Sequence, residues 1–62
     1  MWIVCDGDGF AHASGEGLVY PEEGDRFYEK EEAEFEAERL NIKYDTTSDW
    51  YRAVDFTTNA NA

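Results

Sequence analysis

Residues 28–41 constrain the architecture of this chain more than any other segment. They are dominated by Glu, Lys, Ala, Arg and Leu, all good helix formers, and they contain neither glycine nor proline. Glutamates in the first turn complement the positive end of a helix dipole, and Asn41 is a reasonable C-terminal stop. One helix of this length in a 62-residue chain leaves room only for short strands. A two-domain cleft and a nucleotide-binding βαβ pair are excluded by size. A domain this small buries only about 60% of its unfolded surface, so its stability margin is thin.

The remaining apolar runs read as strands. Trp2-Ile3-Val4-Cys5 is β-branched and aromatic, and Asp6-Gly7-Asp8-Gly9 supplies the chemistry of a tight hairpin turn. Residues 10–14 form the return strand, with Phe10 and His12 on one side and Ala11 and Ala13 on the other. Residues 18–20 continue that strand beyond a bulge at Gly15-Glu16-Gly17, Pro21 ends it, and 22–26 are a charged loop. A turn at Thr46-Thr47-Ser48-Asp49 leads into a last strand over 50–56, whose core face is Trp50, Arg52, Val54 and Phe56. Trp2 and Trp50 are placed near each other. The expected fold is α+β with the order β-β-α-β: a three-stranded antiparallel sheet with one helix packed on one face. It occupies 1–56 as a single domain, followed by a flexible tail at 57–62.

Charge sets the class of partner. The chain carries −10, from fifteen Asp and Glu against five Lys and Arg. Between Glu22 and Glu38 nine acidic residues face only Arg26 and Lys30, so this segment holds −7 of the total. Such a balance signals disorder when aromatics are scarce, but ten aromatics spread among Val, Ile and Leu favour folding. Direct binding to nucleic acid or an anionic membrane needs clustered Lys and Arg, which are absent. Like charges at i,i+4 weaken an isolated helix, so a basic partner surface is the leading explanation for the glutamates. Halophilic adaptation and plain solubility are the alternatives. One cysteine, no apolar run of spanning length and no leader pattern point to a protein of the reducing cytoplasm.

The helix has two unlike faces. Advancing about 100° per residue, Ala33, Ala37 and Leu40 fall on one stripe, which Tyr44 extends if the helix runs on. Phe35 lies on the opposite side, flanked by Glu31, Glu34 and Glu38. A large apolar side chain within a charged ring has the form of an interface anchor with a polar rim. The competing reading folds Phe35 over residues 18–20 as satellite core. Glu22, Glu23, Asp25, Glu31, Glu34, Phe35 and Glu38 are the candidate partner-binding residues.

Other chemistry fails on spacing. If Asp6, Asp8 and Gly9 fill positions 3, 5 and 6 of a calcium loop, positions 1 and 12 are Val4 and Gly15, which cannot ligate. One cysteine and one histidine make no structural zinc site, and a Cys5–His12 nucleophilic pair lacks an orienting third group. The carboxylates have no concave, desolvated site to separate their pKa values. Tyr51 on a sheet face without surrounding basic residues is a poor base-stacking platform. No enzyme activity and no cofactor is expected.

Residues 29–41, EKEEAEFEAERLN, followed by WYRAVDF at 50–56, resemble small acidic proteins encoded by phages and mobile elements. In those proteins an acidic helix packs on a short sheet with an aromatic last strand. The resemblance covers about half the chain. It implies an inhibitor of the anti-CRISPR or anti-restriction type, or of host RNA polymerase, acting on a basic nucleic-acid-binding protein by acidic charge mimicry. No catalytic residue carries over, and the chain lacks the long charge-dense surface of an extended DNA mimic. The preferred target is a CRISPR effector. The competing class is an assembly module or accessory subunit that associates through a sheet edge, with a second copy as one partner.

Overall fold

Two glycine-bearing turns shape the N-terminal third of the molecule. The computed structural model describes residues 1–56, so the tail at 57–62 lies outside the described residues. In the first turn, Asp6 and Phe10 close the hairpin between β1 (Trp2–Cys5) and β2 (Ala11–Ala13). The buried Asp6 carboxylate accepts the Asp8 and Phe10 amides at 2.9 and 3.0 Å, and Gly9 takes the left-handed position at φ 91°. The hairpin turn expected from Asp-Gly is the one that forms.

The second turn corrects the strand count. Gly15 and Gly17 both adopt positive φ, 85° and 86°, and the Glu16 amide donates to the Ala13 carbonyl at 3.1 Å. The chain reverses here instead of bulging. Residues 17–19 therefore become a separate strand, β3 (Gly17–Val19), antiparallel to β2. The sheet has four strands in the order β3-β2-β1-β4, all antiparallel, with β4 at Arg52–Asp55. The sequence order is β-β-β-α-β, not β-β-α-β.

β1 and β2 pair only at Cys5↔Ala11. Beyond that pair, the segment leaving a 3-10 turn (Pro21–Glu23) takes up the bonds the strands leave open. The Asp25 amide donates to the His12 carbonyl at 3.1 Å, and Trp2 and Phe27 exchange two backbone bonds of 2.8 Å. The helix α1 (Lys30–Lys43) then crosses β1 and β4.

The core has one cluster on each sheet face. Val4, Ala33, Ala37, Leu40 and Tyr51 pack under α1, joined by Trp2, Phe27 and Ala53. Ile3, Cys5 and Ala11 form the reverse-face cluster with Val19, Val54 and Phe56. The alanine-leucine stripe of the helix is buried as its periodicity requires. Both faces of the last strand are covered, not only the expected one: Val54 and Phe56 pack into the reverse-face cluster, Tyr51 and Ala53 meet the helix, and Trp50 and Arg52, expected on the core face, are exposed. The register Val4↔Ala53 and Ile3↔Val54 fixes this, because cross-strand partners share a face.

Trp50 stands before β4 instead of within it, and it is remote from Trp2. Its indole covers Gly7, so that a Cβ built there would overlap the Trp50 ring. Trp2 is at the other end of β1, with Lys30 Nζ 5.7 Å from the centre of its ring. Gly7→Ala is expected to displace the half-covered Trp50 and cost about 1–3 kcal/mol. Urea unfolding followed by tryptophan fluorescence checks this. Unchanged stability with unchanged emission would mean that the indole is not held on Gly7.

Candidate partner-binding surface

The helix that seats Ala33, Ala37 and Leu40 on the sheet necessarily turns Phe35 outward. Its side chain is 72% exposed. It does not close over residues 18–20, since Leu18 and Tyr20 are exposed themselves. Glu31, Glu34 and Glu38 are exposed on the same outer surface. Next to Phe35 is a shallow recess bounded by Phe27, Glu31, Glu32 and Glu36.

The helix continues two residues past the expected stop at Asn41, and that extension adds a second apolar residue to the surface. Ile42 is 74% exposed and sits seven positions after Phe35, two turns along nearly the same face. Glu38 lies between them. The i,i+7 spacing of Phe35 and Ile42 is present in the sequence, but a helix that stops at Asn41 does not include Ile42.

Two ion pairs fix the borders of this face. Arg39 reaches Glu36 through both Nε, at 3.0 Å, and Nη2. That hydrogen bond lowers the Glu36 pKa from its ordinary value and raises that of Arg39. Lys30 approaches Glu34 at 3.7 Å. The Lys30–Glu34 pair is more than half exposed on both sides and contributes little to stability, whereas Glu36 is mostly covered and only its Arg39 partner is half exposed.

Asn41, expected as a helix stop, is a buried connector. Its amide nitrogen donates to the Ser48 and Tyr51 carbonyls at 3.1 and 3.0 Å. Its oxygen accepts the Tyr51 amide at 2.9 Å and the Thr46 hydroxyl at 2.7 Å. The helix ends instead at Tyr44, whose amide donates to Leu40 O and whose ring packs on Tyr51.

The acidic run is continuous in sequence but divided in space. Glu22 and Glu23 are exposed on the 3-10 turn, which packs on β2. Asp25 accepts the Ser14 amide at 2.9 Å and so also secures the end of β2. Glu31, Glu34, Phe35 and Glu38 belong to α1, seated on β1 and β4. The seven candidate residues thus form a helical group and a turn group.

Cys5 and His12 are on opposite faces of the sheet, because Cys5 pairs with Ala11 and His12 is the next residue along β2. They do not form a nucleophile and base. Burial, followed by the charge of Asp6, raises the Cys5 pKa, and burial raises that of Tyr51. Since folding disfavours both anions, their contribution is complete below the ordinary thiol pKa of about 8.5 and declines as pH rises above it. The urea midpoint should fall between pH 7.5 and 9.5, and Cys5→Ala should flatten that slope. An equal slope in the variant would show that Cys5 does not carry the effect.

Among the described residues no group of three or more His, Cys, Asp or Glu is arranged to hold a metal ion. No described helix is long and apolar enough to cross a membrane. No protein-family model, curated protein or solved structure matches the chain. The candidate surface therefore rests on its own geometry.

Proposed function

We propose that this chain is a small acidic binding protein of the cytoplasm that inhibits a nucleic-acid-handling enzyme. It does so by occupying a basic groove where nucleic acid would otherwise lie. The observation that carries the reading is the outer face of α1, where exposed Phe35 and Ile42 sit among Glu31, Glu34 and Glu38 on a chain of net charge −10. Carboxylates at the rim steer the protein to Lys- and Arg-rich surfaces, and the apolar pair supplies the short-range anchor. A CRISPR effector is the preferred target among such enzymes, a choice that follows from the sequence resemblance alone. Glu22, Glu23 and Asp25 would meet a second part of the same basic surface.

The test is DNA cleavage by a purified CRISPR effector with increasing amounts of the protein, repeated from about 0.1 to 0.5 M salt. The expected result is inhibition that weakens steeply with salt and is relieved by excess guide-matched DNA. A restriction endonuclease and an RNA polymerase are assayed in parallel. Failure to inhibit all three would exclude the proposal.

A second reading is favoured by the two sheet edges, β3 and β4, which no described strand covers. In that reading the chain is an assembly module that pairs edge to edge with an identical copy. Sedimentation of the pure protein separates the two: a stable homodimer supports assembly, and a monomer supports inhibition.

A further inference from the structure

We infer that the outer edge of β4 captures an extended, Lys/Arg-bearing peptide segment by strand addition. This goes beyond the proposed function, since it concerns the β4 edge and holds whatever protein the segment belongs to; the groove beside that edge shares Glu34, Glu38 and Ile42 with the outer face of α1, but not Phe35. In an antiparallel ladder the backbone groups of successive residues point alternately to either side. Phe56 bonds to Met1 on the β1 side, and the register makes Val54 and Arg52 the next inward-facing residues. Ala53 and Asp55 consequently direct their N–H and C=O groups outward, where no described strand meets them. Just before them, Asn41 bonds both backbone groups of Tyr51. The open edge therefore begins at Ala53.

Beside this edge lies an open groove of about 830 Å³ between α1 and β4. Its floor includes Ala37, Tyr51 and Ala53, and its walls carry Glu34, Glu38, Asp45 and Asp49 against Lys30 and Arg52. Lys30 is already near Glu34. An added strand places alternate side chains over the groove and alternate ones away from it. Lysines or arginines at the groove-facing positions would meet the uncompensated carboxylates, while the backbone pairs with Ala53 and Asp55. The charge selects a basic segment, and the two open residues select an extended one.

The probe is the hexapeptide Ac-KVKVKV-NH₂, titrated into the ¹⁵N-labelled full chain. The expected result is saturable shifting of the Ala53 and Asp55 amide resonances, with slower hydrogen exchange at both. Methylating alternate peptide nitrogens keeps the charge but removes edge bonds, and should weaken binding by about tenfold. Asp45→Asn with Asp49→Asn, groove carboxylates that do not belong to the Phe35 face, should weaken it several-fold, whereas Phe35→Ala should not change it. This last control allows edge capture and enzyme inhibition to fail independently. No binding, equal binding of the methylated peptide, or shifts confined to the Phe35 face would overturn the inference. So would concentration-dependent shifts of the β4 amides without peptide, which would make a second copy the occupant.

Discussion

Asn41→Ala is expected to leave most of the protein unfolded at 37 °C. The side chain is only 6% exposed and uses every hydrogen-bonding position it has. Two of its bonds satisfy the N–H and C=O of Tyr51, and a third satisfies the Ser48 carbonyl. Truncation leaves these groups without their partner: the two Tyr51 groups are buried, while the Ser48 carbonyl is partly open to the groove beside α1. Each buried polar group left unpaired costs about 1–3 kcal/mol, so a loss of about 3 kcal/mol or more is expected. A core of this size supplies only about 3–5 kcal/mol of net stability. Thermal unfolding by circular dichroism gives the direct measurement. Asn41→Asp provides a sharper control, because it keeps the oxygen facing the Tyr51 amide but turns a second oxygen toward two carbonyls. That carboxyl would be favoured protonated in the folded state, so the variant should gain stability as pH falls from 7 to 5. A Tm within about 2 °C of the parent in both variants would show that the network does not hold the loop.

The same residue explains where sequence reading stops. The buried helix stripe and the Asp6–Gly9 hairpin were legible, because periodicity and turn chemistry are local signals. Asparagine is compatible with both a helix end and a buried connector, and only the positions of Ser48 and Tyr51 distinguish the two. Ending the helix at Asn41 also concealed the pairing of Ile42 with Phe35. Gly15-Glu16-Gly17 indicates a break in the strand without saying whether the chain bends or reverses. Last, each side of β4 carries one apolar and one charged residue, Val54 with Arg52 and Ala53 with Asp55, so alternation alone could not tell which side meets α1. Its partner register decided in favour of Tyr51 and Ala53. The candidate surface was legible in its centre, Phe35 with its glutamates, but its division into a helical and a turn group depends on tertiary packing.

Phe35→Ala and Ile42→Ala are expected to separate binding from folding. Both side chains are about three-quarters exposed, and neither belongs to a core cluster. Surface substitutions of this kind change stability by about 0.5 kcal/mol or less. An apolar anchor at the centre of an interface instead contributes about 2 kcal/mol or more to affinity, which is a loss of about thirtyfold in inhibition for each variant. The glutamates should behave differently. Glu31→Gln with Glu38→Gln removes rim charge, so association slows and the salt dependence flattens while dissociation changes little. Inhibition constants, association rates and Tm measured on the same preparations discriminate the roles. An anchor lowers affinity through faster dissociation at constant Tm, and a steering charge lowers it through slower association. Loss of Tm in step with inhibition would return Phe35 to the core. Unchanged inhibition in both apolar variants would remove the outer face of α1 as the docking surface and leave the β4 edge as the place where a basic partner is held.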